Sequence, residues 1–149
     1  MTNADTLNYY MRYFSQAIGA PDDLLVSIAM KESSYNPSTG SFRNVCNSVR
    51  ACGLMQLRPI ALADIKRAFK YNIDPLDPVQ SIVGAACMFL LNQRYIKVIG
   101  KVNPSLEALV VAYNGGWSAG NFFMKYGYAP SYEGKNYLAF VMQNMSNVA

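Results

Sequence analysis

The chain has 149 residues, 52% of them apolar and 15% charged, so it can bury one sizeable core and is predicted to form a single domain over residues 1–149. It contains no histidine, which excludes sites built on an imidazole base or a His-ligated metal, such as Ser-His-Asp esterases, Cys-His peptidases and zinc amidases. The net charge of +4 is not concentrated in any run, so it favours approach to a polyanion without choosing one, and basic stretches interleaved with aromatics that would indicate nucleic-acid binding are missing.

Helical spacing dominates the first part of the chain. Apolar residues three and four apart predict a first helix within residues 1–19, which Gly19 ends. Pro21, followed by two aspartates, predicts the start of a second helix that runs to about Ser34. Residues 38–52 are polar with few apolar anchors, and this predicts a long loop of the kind that is usually functional.

Five further helices are predicted after the loop. Proline and capping signals begin three of them, and the predicted spans are 59–69, 78–95, 104–113, 117–125 and 133–145. No stretch alternates at period two for long enough to predict a strand. We therefore predict an all-α or mostly α fold with one long loop after the second helix.

The cysteines and the N-terminal residues indicate the cellular compartment in which the protein acts. Cys46 and Cys52 flank a short polar stretch and are placed to form a small-loop disulfide, whereas Cys87 lies among apolar residues; three reduced thiols are an equally open alternative. The N-terminus lacks the features of a secretory signal, and the apolar run 82–91 is about half of what spans a bilayer. We predict that the chain does not insert into a membrane. We also predict that it is made without a secretory signal or that the signal has been removed.

Glu32 is the first candidate for chemistry. It lies four residues after Ile28 and eight after Leu24, on the same helix stripe as these two core-facing aliphatics. Burial and the negative end of the helix dipole both raise the pKa of a carboxyl so placed, which suits a general acid. A solvated side chain at a frayed helix end fits the pattern equally well.

Three ordered strings favour the first of these alternatives. They are Glu-Ser-Ser-Tyr-Asn-Pro at 32–37, Gly-Leu-Met-Gln at 53–56 and Ala-Tyr-Asn-Gly-Gly at 112–116, with a partial fourth at 133–138. Together they resemble the motif set of the soluble-type lytic transglycosylases, which have a goose-lysozyme-like fold. The resemblance covers about residues 21–137, so the first helix lies outside it and is expected only to complete the core. Gly115, Gly134 and Leu138 depart from the usual Ala, Thr and Val, and the loop before Gly53 is longer than in typical members.

The resemblance implies a role for each matched residue. Glu32 is the sole catalytic acid and base, and Tyr137 bonds to its carboxyl and orients it. The implied substrate-binding residues are Ser33 and Ser41, Met55 and Gln56 lining the sugar cleft, Tyr113 and Asn114 on the opposite wall, and Glu133 as a structural or substrate-side polar group. No metal and no cofactor are implied, and the partner is a peptidoglycan strand acted on by a monomer. Each position has a structural alternative, with the glycines as ordinary turns and Tyr113 and Tyr137 as core aromatics.

The positions of the Asp and Glu residues in the sequence limit the reaction mechanisms that are available. No Asp or Glu occurs between Glu32 and Asp64, so the long loop offers no second carboxylate for ordinary glycoside hydrolysis. In the family the substrate supplies its own nucleophile: the C6 hydroxyl of N-acetylmuramic acid attacks C1 and closes a 1,6-anhydro ring. A hydrolytic muramidase of the same fold is the first alternative, and an inactive wall-binding or virion-structural module is the second. With no signal, the expected setting is the periplasmic wall, reached from a virion, in phage lysis or through a secretion apparatus.

Overall fold

Seven α-helices account for most of the computed structural model, which describes the backbone of residues 3–148 and the side chains of residues 3–145. The helices are α1 (Asn3–Ala17), α2 (Leu24–Ser33), α3 (Pro59–Phe69), α4 (Pro78–Val98), α5 (Leu106–Gly115), α6 (Trp117–Tyr126) and α7 (Tyr132–Val148). The described residues form no strand, only isolated bridges that pair Cys52 with Cys46 and with Leu57. The prediction of an all-α fold with a long loop after the second helix is confirmed.

Two helices begin later than predicted. α2 starts at Leu24 and not at Pro21, because the N–H of Leu24 donates to the carbonyl of Pro21 at 3.1 Å in a turn that precedes the helix. α5 starts at Leu106 because Ser105 caps it, its hydroxyl accepting from the N–H of Ala108 at 3.2 Å. A proline favours a nearby helix start, but the first turn and the capping side chain fix the residue.

The chain divides into two compact units, the first ending at Cys87 and the second beginning at Met88. The largest fully buried side chains of the first unit are Leu7, Met11, Leu24, Leu25, Ile28, Leu54, Met55, Ile65 and Ile82. Ser15 joins α1 to α2, since its hydroxyl donates to the carbonyl of Met11 at 2.7 Å and accepts from the N–H of Leu25 at 3.1 Å. A single domain over the whole chain stays a prediction.

α1 also holds the segment that follows α2. The hydroxyl of Tyr35 donates to Oδ1 of Asn8 at 2.5 Å, and Nδ2 of Asn8 donates to the carbonyl of Pro37 at 2.8 Å. Gly40 approaches the same helix so closely that a Cβ there would lie 2.6 Å from the backbone nitrogen of Ala4. Burial raises the pKa of Tyr35 to about 12. The first helix thus does more than complete the core, because it fixes the chain just after Glu32.

The second unit packs α5, α6 and α7 around small residues. Val111, Ala119 and Ala129 form a buried cluster against which Phe123 and Leu138 pack. Small residues at such contacts let helix backbones approach closely. None of the helices in the described part of the chain is long and apolar enough to cross a membrane.

Candidate functional site

Glu32 is half-buried and precedes the last residue of α2. The helix ends because Ser34 adopts the left-handed conformation, with φ of 58°. The N–H of Tyr35 then closes the turn on the carbonyl of Ala29 at 3.3 Å. The end that carries Glu32 is therefore closed and held, which differs from the frayed end that the sequence left open.

Ser33, next to Glu32, is bonded on both sides to neighbouring backbone. Its side chain is buried, and its hydroxyl lies 2.7 Å from the carbonyl oxygen of Leu54, to which it donates. Its own carbonyl accepts from the N–H of Arg43 at 2.8 Å. These bonds tie the end of α2 to two parts of the long loop, so the role that the structure gives Ser33 is to fix the position of Glu32. A contact between Ser33 and substrate stays a prediction.

Gly53 and Gln56 shape the second motif. Gly53 has φ of 83°, and a Cβ there would lie 1.7 Å from the carbonyl oxygen of Pro75, so only glycine fits. The carbonyl of Val45 accepts from the N–H of Gly53 at 3.1 Å and from Nε2 of Gln56 at 2.9 Å. Nε2 of Gln56 also donates to the carbonyl of Gly53 at 3.0 Å. Both amide hydrogens of Gln56 therefore bond to backbone, and a contact between Gln56 and substrate stays a prediction.

Met55, which the resemblance places in the wall of the sugar cleft, and Ser41, which it places against substrate, differ in burial. Met55 is 0% exposed, and its N–H donates to the hydroxyl of Ser81 at 3.0 Å. The Met55 side chain is therefore part of the packed core of the first unit. Ser41 is exposed, and its hydroxyl lies 2.8 Å from that of Thr39. Substrate contacts by these two residues stay predictions.

A disulfide closes the loop between these motifs. It joins Cys46 to Cys52, which decides between the alternatives that the sequence left open. The bonded pair lies directly between Val45 and Gly53, whose backbones are hydrogen-bonded to each other. Cys87 is a free, buried thiol, and burial raises its pKa to about 11.

The remaining predicted residues lie in the second unit. Tyr113 is half-buried, and its ring stacks on that of Phe89 with centroids 5.1 Å apart. Nδ2 of Asn114 donates to a carboxylate oxygen of exposed Glu133 at 3.2 Å. Tyr137 follows Glu133 by one helical turn and is 2% exposed. Asn114 and Glu133, which are 19 residues apart in sequence, are thus brought together.

Two residues that support the first-unit motifs were not singled out from the sequence. Asn8 holds Tyr35 and Pro37, and Ser81 holds the backbone of Met55. Each is a polar residue adjacent to buried apolar ones on its helix. Polar groups in such positions usually have a hydrogen-bond partner elsewhere in the fold. A polar residue beside buried apolar ones is therefore the sequence signal that could have identified both.

Comparison with known families agrees with the motifs. A family model described as the transglycosylase SLT domain matches residues 10–137, which are most of the chain and include every predicted site residue from Glu32 to Tyr137. None of the curated proteins searched matches the chain. Among the described residues, no group of three or more Cys, Asp or Glu side chains is placed to hold a metal ion. The chain therefore belongs to the transglycosylase SLT family, an all-α, lysozyme-like family that acts on peptidoglycan.

Proposed function

We propose that the protein is a lytic transglycosylase that cleaves the β-1,4 bond between N-acetylmuramic acid and N-acetylglucosamine, with Glu32 as its sole acid and base. The observation that carries the proposal is the position of Glu32, a half-buried carboxyl on a helix end that is closed and bonded to the motif loop through Ser33. A carboxyl can act as a general acid because it holds a proton that it can transfer to a leaving oxygen.

Other carboxylates of the first unit have structural partners. Asp64, the next acid along the chain, forms an ion pair with Arg67 within α3. Asp22 accepts from the amide of Gln16, and Asp74 and Asp77 accept from backbone N–H groups of their own turns. These contacts favour a mechanism that needs no second carboxylate, because hydrolysis with two would require one placed across the sugar from Glu32.

The reaction then balances with one carboxyl. Glu32 protonates the glycosidic oxygen as the bond from C1 to that oxygen breaks, and the acetamido group of the muramoyl residue stabilises the positive charge at C1. The C6 hydroxyl of the same residue attacks C1, and the Glu32 carboxylate takes its proton. The carboxyl is regenerated and no water is consumed. The nucleophile is already attached to the reacting ring, so it has the advantage of proximity.

The proposal keeps the roles that the family resemblance implies for the second unit. Tyr137 is a positioning residue for the catalytic carboxyl, and Tyr113 and Asn114 bind the glycan. Glu133 acts through Asn114, whose amide it holds. The Cys46–Cys52 disulfide supports action outside a reducing cytosol, in the periplasm or from a virion.

Replacing Glu32 with glutamine tests the catalytic role. Glu32→Gln keeps the shape but removes the transferable proton, so release of fragments from purified peptidoglycan should fall by about 100-fold or more. Thermal stability should hold or rise, since functional carboxyls are often placed at a cost in stability. Asp64→Asn is the matched control and should keep its activity. A Glu32→Gln variant that clears peptidoglycan at a comparable rate would show that another group is the acid.

The product separates the proposed reaction from its alternatives. Mass spectrometry of the released fragments should find 1,6-anhydro-muramoyl ends, each lighter by one water than a reducing end. Reducing ends would establish a hydrolytic muramidase and direct the search to a second carboxylate. Binding of peptidoglycan without release of any fragment would identify a wall-binding module.

A further inference from the structure

Three aromatic rings, one half-buried and two exposed, form a cluster in the second unit, here named the aromatic patch: Phe122, Tyr126 and Tyr128. The centroid of Phe122 lies 4.6 Å from that of Tyr126 and 5.5 Å from that of Tyr128. Tyr126 and Tyr128 are 53% and 52% exposed. Gly127, with φ of 83°, ends α6 between them and turns Tyr128 back onto the helix. Rings that contact each other yet keep half of their surface in solvent offer an apolar face to a ligand.

Two lysines frame the aromatic patch. Nζ of Lys125 lies 5.5 Å from the ring centroid of Tyr126, and Nζ of Lys135 lies 5.4 Å from that of Tyr128. Both lysines are exposed, and within the part of the chain whose side chains are described neither forms an ion pair with a carboxylate. Residues 88–149 contain five Lys and Arg but only two acids, Glu107 and Glu133. The patch therefore combines ring faces with unneutralised positive charge.

The aromatic patch adjoins the candidate site of its own unit. Residues 128–135 include Tyr128 of the aromatic patch and Lys135, which lies over its ring. They also include Glu133, which accepts a hydrogen bond from the side-chain amide of Asn114. The segment is compact, since the N–H of Gly134 donates to the hydroxyl of Ser131 at 2.9 Å and a Cβ on Gly134 would lie 3.2 Å from that of Ala129. Glu133, which bonds to Asn114, and Lys135, which lies over the Tyr128 ring, therefore belong to one short segment of the second unit.

We propose that the aromatic patch, with Lys125 and Lys135, binds the carboxylate-bearing peptide stems of peptidoglycan. The inference rests on the proposed function, because it assumes that the glycan strand is bound at Asn114. In peptidoglycan the sugars alternate along an otherwise uncharged backbone, and the free carboxylates belong to the stems. Ammonium groups pair with those carboxylates, and the ring faces pack on the apolar side chains of the stem. The patch thus makes the protein selective for peptide-substituted strands over bare glycan.

Sedimentation with insoluble wall material tests this proposal. The full chain carrying Glu32→Gln is used, so that the wall is not consumed. Binding is measured on intact sacculi and on chitin, an insoluble β-1,4 glycan of N-acetylglucosamine that carries neither peptide stems nor carboxylates. The further double substitution Lys125→Gln and Lys135→Gln should weaken binding to intact sacculi about tenfold, as expected for two exposed charge pairs. It should leave binding to chitin unchanged.

A matched double variant controls for charge. Lys66→Gln and Lys70→Gln remove the same two charges from α3, in the first unit, and should bind intact sacculi as the parent does. Equal binding of the parent to intact sacculi and to chitin would overturn the proposal, as would equal losses in the two double variants. Lysine-dependent binding of the same strength to single-stranded DNA would show a general polyanion surface and would overturn it too. Because activity is not measured, these outcomes are separate from the failure of the proposed reaction.

Discussion

In the first unit, the motif side chains of Ser33 and Gln56 bond to backbone carbonyls of neighbouring loops, whereas in the second unit those of Asn114 and Glu133 bond to each other near the surface. The first kind of contact fixes the course of the main chain around the end of α2. The second kind holds polar side chains at the surface of the second unit. One family motif set therefore contains residues that shape loops and residues that we propose to contact substrate. Substitutions in the first group should change stability, and substitutions in the second should change activity.

The largest expected loss of stability is at Gly53. Gly53→Ala places a Cβ 1.7 Å from the carbonyl oxygen of Pro75 at φ of 83°, so the clash and the left-handed backbone together should lower the free energy of unfolding by about 3 kcal/mol or more. Denaturant titration measures this. Gly116→Ala is a matched control in the second unit, with φ of 90° and no atom within 4 Å of the new Cβ. If the two variants lose equal stability, the close approach to Pro75 does not constrain the loop.

A smaller loss is expected from the disulfide. The double variant Cys46→Ser and Cys52→Ser opens a loop with a sequence separation of 6, and loop-closure entropy predicts a decrease of about 2 kcal/mol in the free energy of unfolding. Thermal melts with and without reductant measure it. Reductant should destabilise the parent by a similar amount and leave the double variant unchanged, since Cys87 is unbonded. If the oxidised parent and the double variant were equally stable, the hydrogen bonds of the loop would hold it without help from the disulfide.

The smallest change in stability is expected in the second unit. Glu133→Ala removes an exposed carboxylate, so the free energy of unfolding should change by less than about 0.5 kcal/mol. Release of fragments from peptidoglycan should nevertheless fall roughly tenfold, because the amide of Asn114 loses the partner that orients it. Asn136→Ala, an exposed change three residues further on, is the control. A loss of stability as large as that of the disulfide variant would make Glu133 a structural residue and weaken the contrast between the units.

Local sequence signals predicted most of the helices. The contacts that they did not predict join residues that are far apart in the sequence. α3 begins at Pro59 and α6 at Trp117, which are the predicted starts. The bonds from Ser33 to Leu54 and from Met55 to Ser81, by contrast, span 21 and 26 residues. Periodicity and capping describe one element at a time, so they carry no information about which loop carbonyl a buried hydroxyl reaches. For the same reason the sequence named the motif residues but did not separate the buried Met55 from residues at the surface.

The hydrogen bond between Asn8 and Tyr35 predicts how an N-terminally truncated fragment of this protein would fold. The family match begins at residue 10, inside α1, so a fragment expressed from that boundary lacks Asn8 and also the backbone of Ala4 that packs on Gly40. The phenol of Tyr35, 3% exposed, would lose its acceptor, at a cost of about 1–3 kcal/mol for a buried polar group left unpaired. The matched segment thus omits the helix residues that hold Tyr35 and Gly40, and Tyr35 lies three residues after Glu32.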